Sequence, residues 1–222
     1  PDTAGEMDLL AVPVVRHLLD QRAQLAVVSL LPGGPAPARR AVADALFYAS
    51  NDVMLDTKER FAMADQVLVE NLFLPGGVAA LPLVAQAPVM AFSSDGDAIS
   101  AEQRAALAKT PALTVVFAAR AEDVQSWLGQ VSPLNGAPVV AVTSAGADPL
   151  LRPYLDSGQL VGLVSGFDGA YSYERLAGDS RSLDVEEQLR VRLAAQNWGQ
   201  LALLLILVMG NLAGLLGRGK RE

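Results

Sequence analysis

The sequence predicts an α/β fold, an open and mostly parallel sheet with helices on both faces, followed by a single C-terminal transmembrane helix. Three observations carry that reading. Short apolar runs alternate with alanine-rich stretches of helical spacing along residues 1–178. The runs are almost continuously apolar, as strands are when a parallel sheet buries both of their faces. Finally, the chain closes in NWGQLALLLILVMGNLAGLLGRGKRE, with no charged side chain from Trp198 to Leu216. These divide the chain into a globular domain (1–178), a juxtamembrane helix (179–197), a transmembrane helix (198–216) and a basic cytoplasmic tail (217–222). A closed eight-fold barrel needs more chain than 222 residues with this tail provide.

The first element is a helix. Leu9, Leu10, Pro13, Val14, His17 and Leu18 recur at helical spacing, and Thr3 with Glu6 three positions on has the form of a capping box. Pro13 either kinks this helix or lies in the first turn of one that begins near Ala11. In an alternating β/α chain a helix in this position follows a strand, so a strand is expected ahead of Pro1. Strands are then expected at QLAVVSLL (24–31), QVLVENLF (66–73), APVMAFSS (87–94), ALTVVFAA (112–119), APVVAVTS (137–144) and QLVGLVSG (159–166). Between them ARRAVADALFYA, GVAALPLVAQ, SAEQRAALAKT, AEDVQSWLGQV and DPLLRPYLDSG read as helices, most of them bounded by Gly, Pro, Ser or Asp.

Charge and composition exclude several classes of function. The formal charge is −7, and it is unevenly spread: the last 25 residues carry +2, leaving −9 on the body before them. An acidic body argues against nucleic-acid binding, which relies on cations to neutralise phosphates. The absence of cysteine removes disulfides and thiolate metal sites, and a single histidine, His17, cannot build a histidine zinc site within one chain. No cofactor and no metal are expected.

The candidate sites are few. LAVVSLLPGG (25–34) and LVENLFLPGG (68–77) each run a strand into Leu-Pro-Gly-Gly and then a small-residue helix. The glycines Gly33, Gly34, Gly76 and Gly77 either serve a repeated turn, or form with Asp168 a ligand-binding cradle of backbone N–H groups at the open end of the sheet. Neither turn has the spacing of a dinucleotide or nucleotide phosphate loop. No catalytic residue is assigned. Ser144 and Ser165 lack a nucleophile elbow, His17 stands alone, and Lys58 and Lys109 sit in polar surroundings that leave a lysine too basic to act as a base. Asp95 and Asp97 in SSDGD read as a turn, because two carboxylates without a third ligand do not make a cation site. LRPYLDSGQLVGLVSGFDGAYSYERL (151–176) holds Tyr154, Tyr171 and Tyr173, three of the four tyrosines. Those rings with Asp168, Glu174 and Arg175 either line a partner surface or pack a final strand-turn-helix unit.

DTAGEMDLLAVPVV, FLPGGVAAL and RPYLDSGQLVGLVSGFDGAYSYERL ahead of a hydrophobic tail together resemble a set of uncharacterised bacterial membrane-anchored α/β proteins, over most of residues 1–216. The resemblance implies the anchored architecture and supplies no catalytic residues, since no activity is established for that set.

The tail fits one crossing of a bilayer. Residues 198–216 as a helix span about 28 Å, close to the ~30 Å hydrocarbon core. Trp198 stands at one membrane interface, and Arg218, Lys220 and Arg221 at the other, which the positive-inside rule places in the cytoplasm. Arg190 and Arg192 on the opposite flank partly offset that bias. Within the span Gly210 and Gly214 form GxxxG beside Asn211, a face on which another helix can approach closely, although such glycines also occur in membrane helices without a partner. SLDVEEQLRVRLAAQ (182–196) reads as a helix capped by Ser182 or Asp184 and continuous with the span.

The expected function follows from this architecture: an extracytoplasmic domain in the cell membrane, single-pass at its C-terminus, acting as a structural or accessory subunit of a membrane protein assembly. Its partners are the lipid bilayer and other membrane subunits, or a second copy through the transmembrane helix, and no nucleic acid. The alternative is an anchored enzyme or small-ligand receptor using the Gly-rich turns.

Overall fold

A computed structural model of the chain describes residues 3–50, 56–92, 99–177 and 183–218. The fold is mixed α/β. Helix α1 (Thr3–Asp20) runs through Pro13 without interruption. Proline there removes the donor for the carbonyl four residues back, a defect that isolated helices tolerate poorly. Packing compensates, since every residue from Leu10 to Arg16 is buried.

Strand β1 (Leu25–Ser29) leads to α2 (Pro35–Ser50), α3 (Thr57–Val67) and β2 (Leu68–Phe73). A 3-10 turn (Gly77–Ala80) enters α4 (Leu81–Gln86), followed by α5 (Pro88–Phe92) and α6 (Ala101–Leu107). The second half alternates regularly: β3 (Thr114–Ala118), α7 (Ala121–Gln130), α8 (Ser132–Asn135), β4 (Val139–Thr143), α9 (Asp148–Asp156), β5 (Gly162–Ser165) and α10 (Gly166–Ala177). Helix α11 (Leu183–Arg218) ends the described chain.

The three strand pairings among the described residues are all parallel, in keeping with the continuous apolar runs. Among the described residues the strands form two sheets instead of one, β1–β2 and β3–β4–β5. Alternate side chains on β3, β4 and β5 enter different cores. Val115, Val142 and Val164 join α1, α2 and α10 on one face, while Val116, Ala141 and Leu163 join α7 and α9 on the other. Leu25 of β1 and Leu68 of β2 share the α1–α2 core, and Val28 and Leu72 pack on the opposite face with α5 and α6. Helices therefore cover both faces.

One expected strand is a helix. Residues 88–92 form α5, with Ala91 and Phe92 buried against Leu72, Leu74 and Leu107; positions 93 and 94 lie outside the described residues. A five-residue apolar run carries no periodicity that separates a strand from a buried turn of helix. Here Pro88 at the first helical position favours the helix. The strand expected from residue 66 begins at Leu68, because α3, which the apolar pattern does not reveal, extends to Val67. Its signal is local: Asp56 accepts from the Lys58 N–H while the Glu59 carboxylate accepts the Asp56 N–H at 3.0 Å, a complete capping box.

Candidate functional site

The first candidate is the carboxyl edge of the strands. After β1, Ser29 Oγ donates to the Leu31 carbonyl at 3.0 Å, and the Gly34 N–H donates to the same carbonyl at 2.9 Å. A β-carbon at Gly34 would lie 1.8 Å from Ser29 Oγ, so the turn closes only with glycine. After β2, Gly76 and Gly77 have φ of 104° and 57°, left-handed values that start the 3-10 turn. Gly33 is exposed and open to solvent on its Cβ side. Asp168 lies in the first turn of α10, exposed, at the carboxyl end of β5. All five residues thus share the carboxyl side of the strands, but the glycines belong to one sheet and Asp168 to the edge of the other. At the ends of β3, β4 and β5 the edge is closed by packing. Ser144 Oγ donates to the Ala119 carbonyl at 2.6 Å, and a β-carbon at Gly166 would meet Ala145 Cβ at 2.8 Å. Thr143 is fully buried there, its Oγ1 without a hydrogen-bond partner. Two surface hollows lie elsewhere. One is lined by Arg39, Phe61 and Asp65, the other by Arg22, Gln66 and Gln103. Neither includes Gly33, Gly34, Gly76, Gly77 or Asp168.

The second candidate is a polar seam that the sequence reading did not assemble. Arg16 of α1 and Glu174 of α10 meet at 2.6 Å with side chains 7% and 1% exposed. The contact is one of charge without hydrogen-bond alignment, since neither Glu174 oxygen accepts a directed hydrogen bond. Beside it His17 Nδ1 and the Tyr173 hydroxyl lie 2.6 Å apart. The hydroxyl donates when the ring proton is on Nε2 and accepts when it is on Nδ1. Burial, with the neighbouring Glu174 charge second, pushes the Tyr173 hydroxyl above its usual range and keeps it protonated. Tyr171 donates to Glu186 of α11 at 3.3 Å, and Leu189 of α11 is fully buried in the α1–α10 core. The tyrosine-rich stretch therefore packs α10 between α1 and the base of the terminal helix. Its signal was present in the sequence: Phe167, Ala170 and Glu174 share a helical stripe, so a carboxylate stands at a core position and calls for a buried cation.

The third candidate is α11 itself. It joins the juxtamembrane and membrane segments into one uninterrupted helix of 36 residues, about 54 Å long. Its stretch Glu186–Leu212 is long and apolar enough to cross a membrane, with none of the most apolar window buried in the protein. Trp198 is 71% exposed, and Leu203 to Met209 are exposed on every side. Asn211 Nδ2 donates to the Leu207 carbonyl at 2.9 Å, so its amide is partly satisfied within its own helix, and Gly210 opens onto free space. Gly214 and Arg218 belong to the helix, but their surroundings lie outside the described residues, as do Lys220, Arg221, Ser182, Asp95 and Asp97. No cluster of three or more His, Cys, Asp or Glu residues able to hold a metal ion occurs among the described residues.

Comparison with protein-family models, curated proteins and solved structures gives no match.

Proposed function

We propose that this protein is a membrane-anchored α/β domain serving as a structural or accessory subunit of a membrane protein assembly, with the globular domain outside the cytoplasm and the basic end of α11 inside. The carrying observation is α11: a fully exposed apolar helix, continuous with a segment that the domain core buries at Leu189. A soluble domain gains nothing from a helix of that kind unless lipid or another helix covers it. The orientation rests on Arg218, Lys220 and Arg221. An accessory role is favoured by the carboxyl edge of the strands, where each glycine but Gly33 has a backbone reason and where neither of the two surface hollows includes the glycines or Asp168.

The test is purification of the native protein in mild detergent with identification of the chains that migrate with it. A stoichiometric membrane partner supports the proposal. A homogeneous monomer whose body binds a small metabolite would replace it with the receptor reading.

A further inference from the structure

The geometry points to a sixth parallel strand, inserted between β1 and β3 ahead of α1, which fuses the two sheets into one of order β2-β1-insert-β3-β4-β5.

The first ground is the pair of edges. Among the described residues β1 (LAVVS) and β3 (TVVFA) each pair on one side only, with β2 and β4 respectively. Neither carries a charge or a proline, the devices by which a true edge strand avoids adventitious pairing. β2, with Glu70 and Asn71 in its middle, has the composition of an outer strand. Burial agrees. β4, flanked on both sides, is buried along nearly its whole length, whereas β1 has Ala26 exposed and no residue fully buried. Phe117 of β3 is 41% exposed, although Val115 on the same face packs into the α1 core.

The second ground is handedness. Crossovers between parallel strands of one sheet are right-handed. α2 links β1 to β2 and shares a core with α1, so both helices lie on the same face. Helices on the same face require strands that advance in the same direction. The strand feeding α1 must therefore stand on the side of β1 away from β2, where the edge is free. α7 and α9 lie on the opposite face, so β3, β4 and β5 advance the opposite way, and the free edge of β3 turns towards the same gap. α1 bridges the gap, since it leads into β1 while packing over β3 and β4. Its C-terminus lies at the start of β1, so α1 runs against the strands and its N-terminus reaches their carboxyl ends. That is where an inserted strand would deliver the chain. The occupant is thus a segment of the same polypeptide, about five residues long and apolar on both faces.

The test is hydrogen exchange on the product of the complete gene in lipid nanodiscs, read on peptides spanning 25–29, 114–118 and 139–143. The inserted strand predicts protection of β1 and β3 within about tenfold of that of β4. Alternate amides of β1 and β3 exchanging at least a hundredfold faster than those of β4 would overturn it. Protection that disappears on dilution would also overturn it, by assigning the gap to a second copy. Because the chain has no cysteine, the pair Val27→Cys and Val115→Cys gives a second reading. With a strand between them the Cα atoms are about 9.6 Å apart, too far for a disulfide, and oxidation leaves both thiols free. Rapid intramolecular disulfide formation means β1 pairs directly with β3 and ends the proposal.

Discussion

Arg16 and Glu174 make the domain sensitive to a single change. Each is a buried charge whose main compensation is the other. Arg16→Met or Glu174→Leu alone is expected to destabilise by about 3–5 kcal/mol, because the remaining charge is left buried. The double variant is expected to recover most of that loss, and a double-mutant cycle from urea unfolding of the detergent-solubilised protein measures it. Equal losses in the double and single variants would mean that packing at the seam, and not charge, dominates. His17→Ala removes one hydrogen bond from Tyr173 and is expected to cost about 1 kcal/mol without affecting assembly. Asp44 on α2 tests the sign of a different effect. Burial raises its carboxyl above the usual range, with Arg60 and Arg40 opposing. A raised folded pKa favours the folded state most below the unfolded value, and that advantage is lost as pH rises through the folded value. Asp44→Asn should therefore gain stability relative to the parent between about pH 4 and neutrality, and match it at lower pH. A parent that gains on the variant as pH rises would reverse the assignment. The seam was hard to see in the sequence because its members are some 156 residues apart; the helical stripe that places Glu174 in the core was the one local clue.

The elements that the sequence revealed are those with their own periodicity or capping. Five of six expected strands form, because continuous apolar runs bounded by turn residues are what a doubly covered parallel sheet needs. Within the run at 87–94, residues 88–92 are helical because tertiary burial of Ala91 and Phe92 holds them, with Pro88 at the first helical position as the local pointer. Helix α3 was missed for the opposite reason, a polar helix announced only by its cap. Among the candidate site residues, the glycines of the two Leu-Pro-Gly-Gly turns were legible from composition, whereas their separation from Asp168 depends on which sheet each strand joins. For α11 the useful prediction concerns its small-residue face. Gly210→Ile or Gly214→Ile should dissociate the assembly in detergent while leaving insertion unchanged, since a branched side chain blocks close approach of a second helix. Asn211→Leu should do less: its amide already bonds to Leu207, and interhelical hydrogen bonds in membranes average only about 0.6 kcal/mol. Co-purification of every variant with undiminished partner would leave this face to lipid.

At the scale of the whole molecule, an acidic α/β body stands on one long helix whose apolar part is uncovered. The protein should resist extraction by carbonate and high salt and dissolve only in detergent. Release by carbonate alone would remove the membrane from the account. A cysteine placed at Lys220 should be shielded from an impermeant thiol reagent in intact cells, and ready labelling would invert the topology.

The continuity of α11 also makes the protein a shaft with a fixed phase. Each residue of an α-helix turns the chain by about 100°. The core grips α11 at Leu189 and the apolar segment begins near Trp198, so the domain and the membrane face are locked at one angle about the helix axis. One residue inserted between Arg192 and Trp198 swings the whole body about 100° around its anchor, and two swing it about 200°. Four bring it back to within about 40° of the original heading while lifting it roughly 6 Å from the bilayer. If the domain must face a neighbour, complex formation across such an insertion series will rise and fall with the period of the helix.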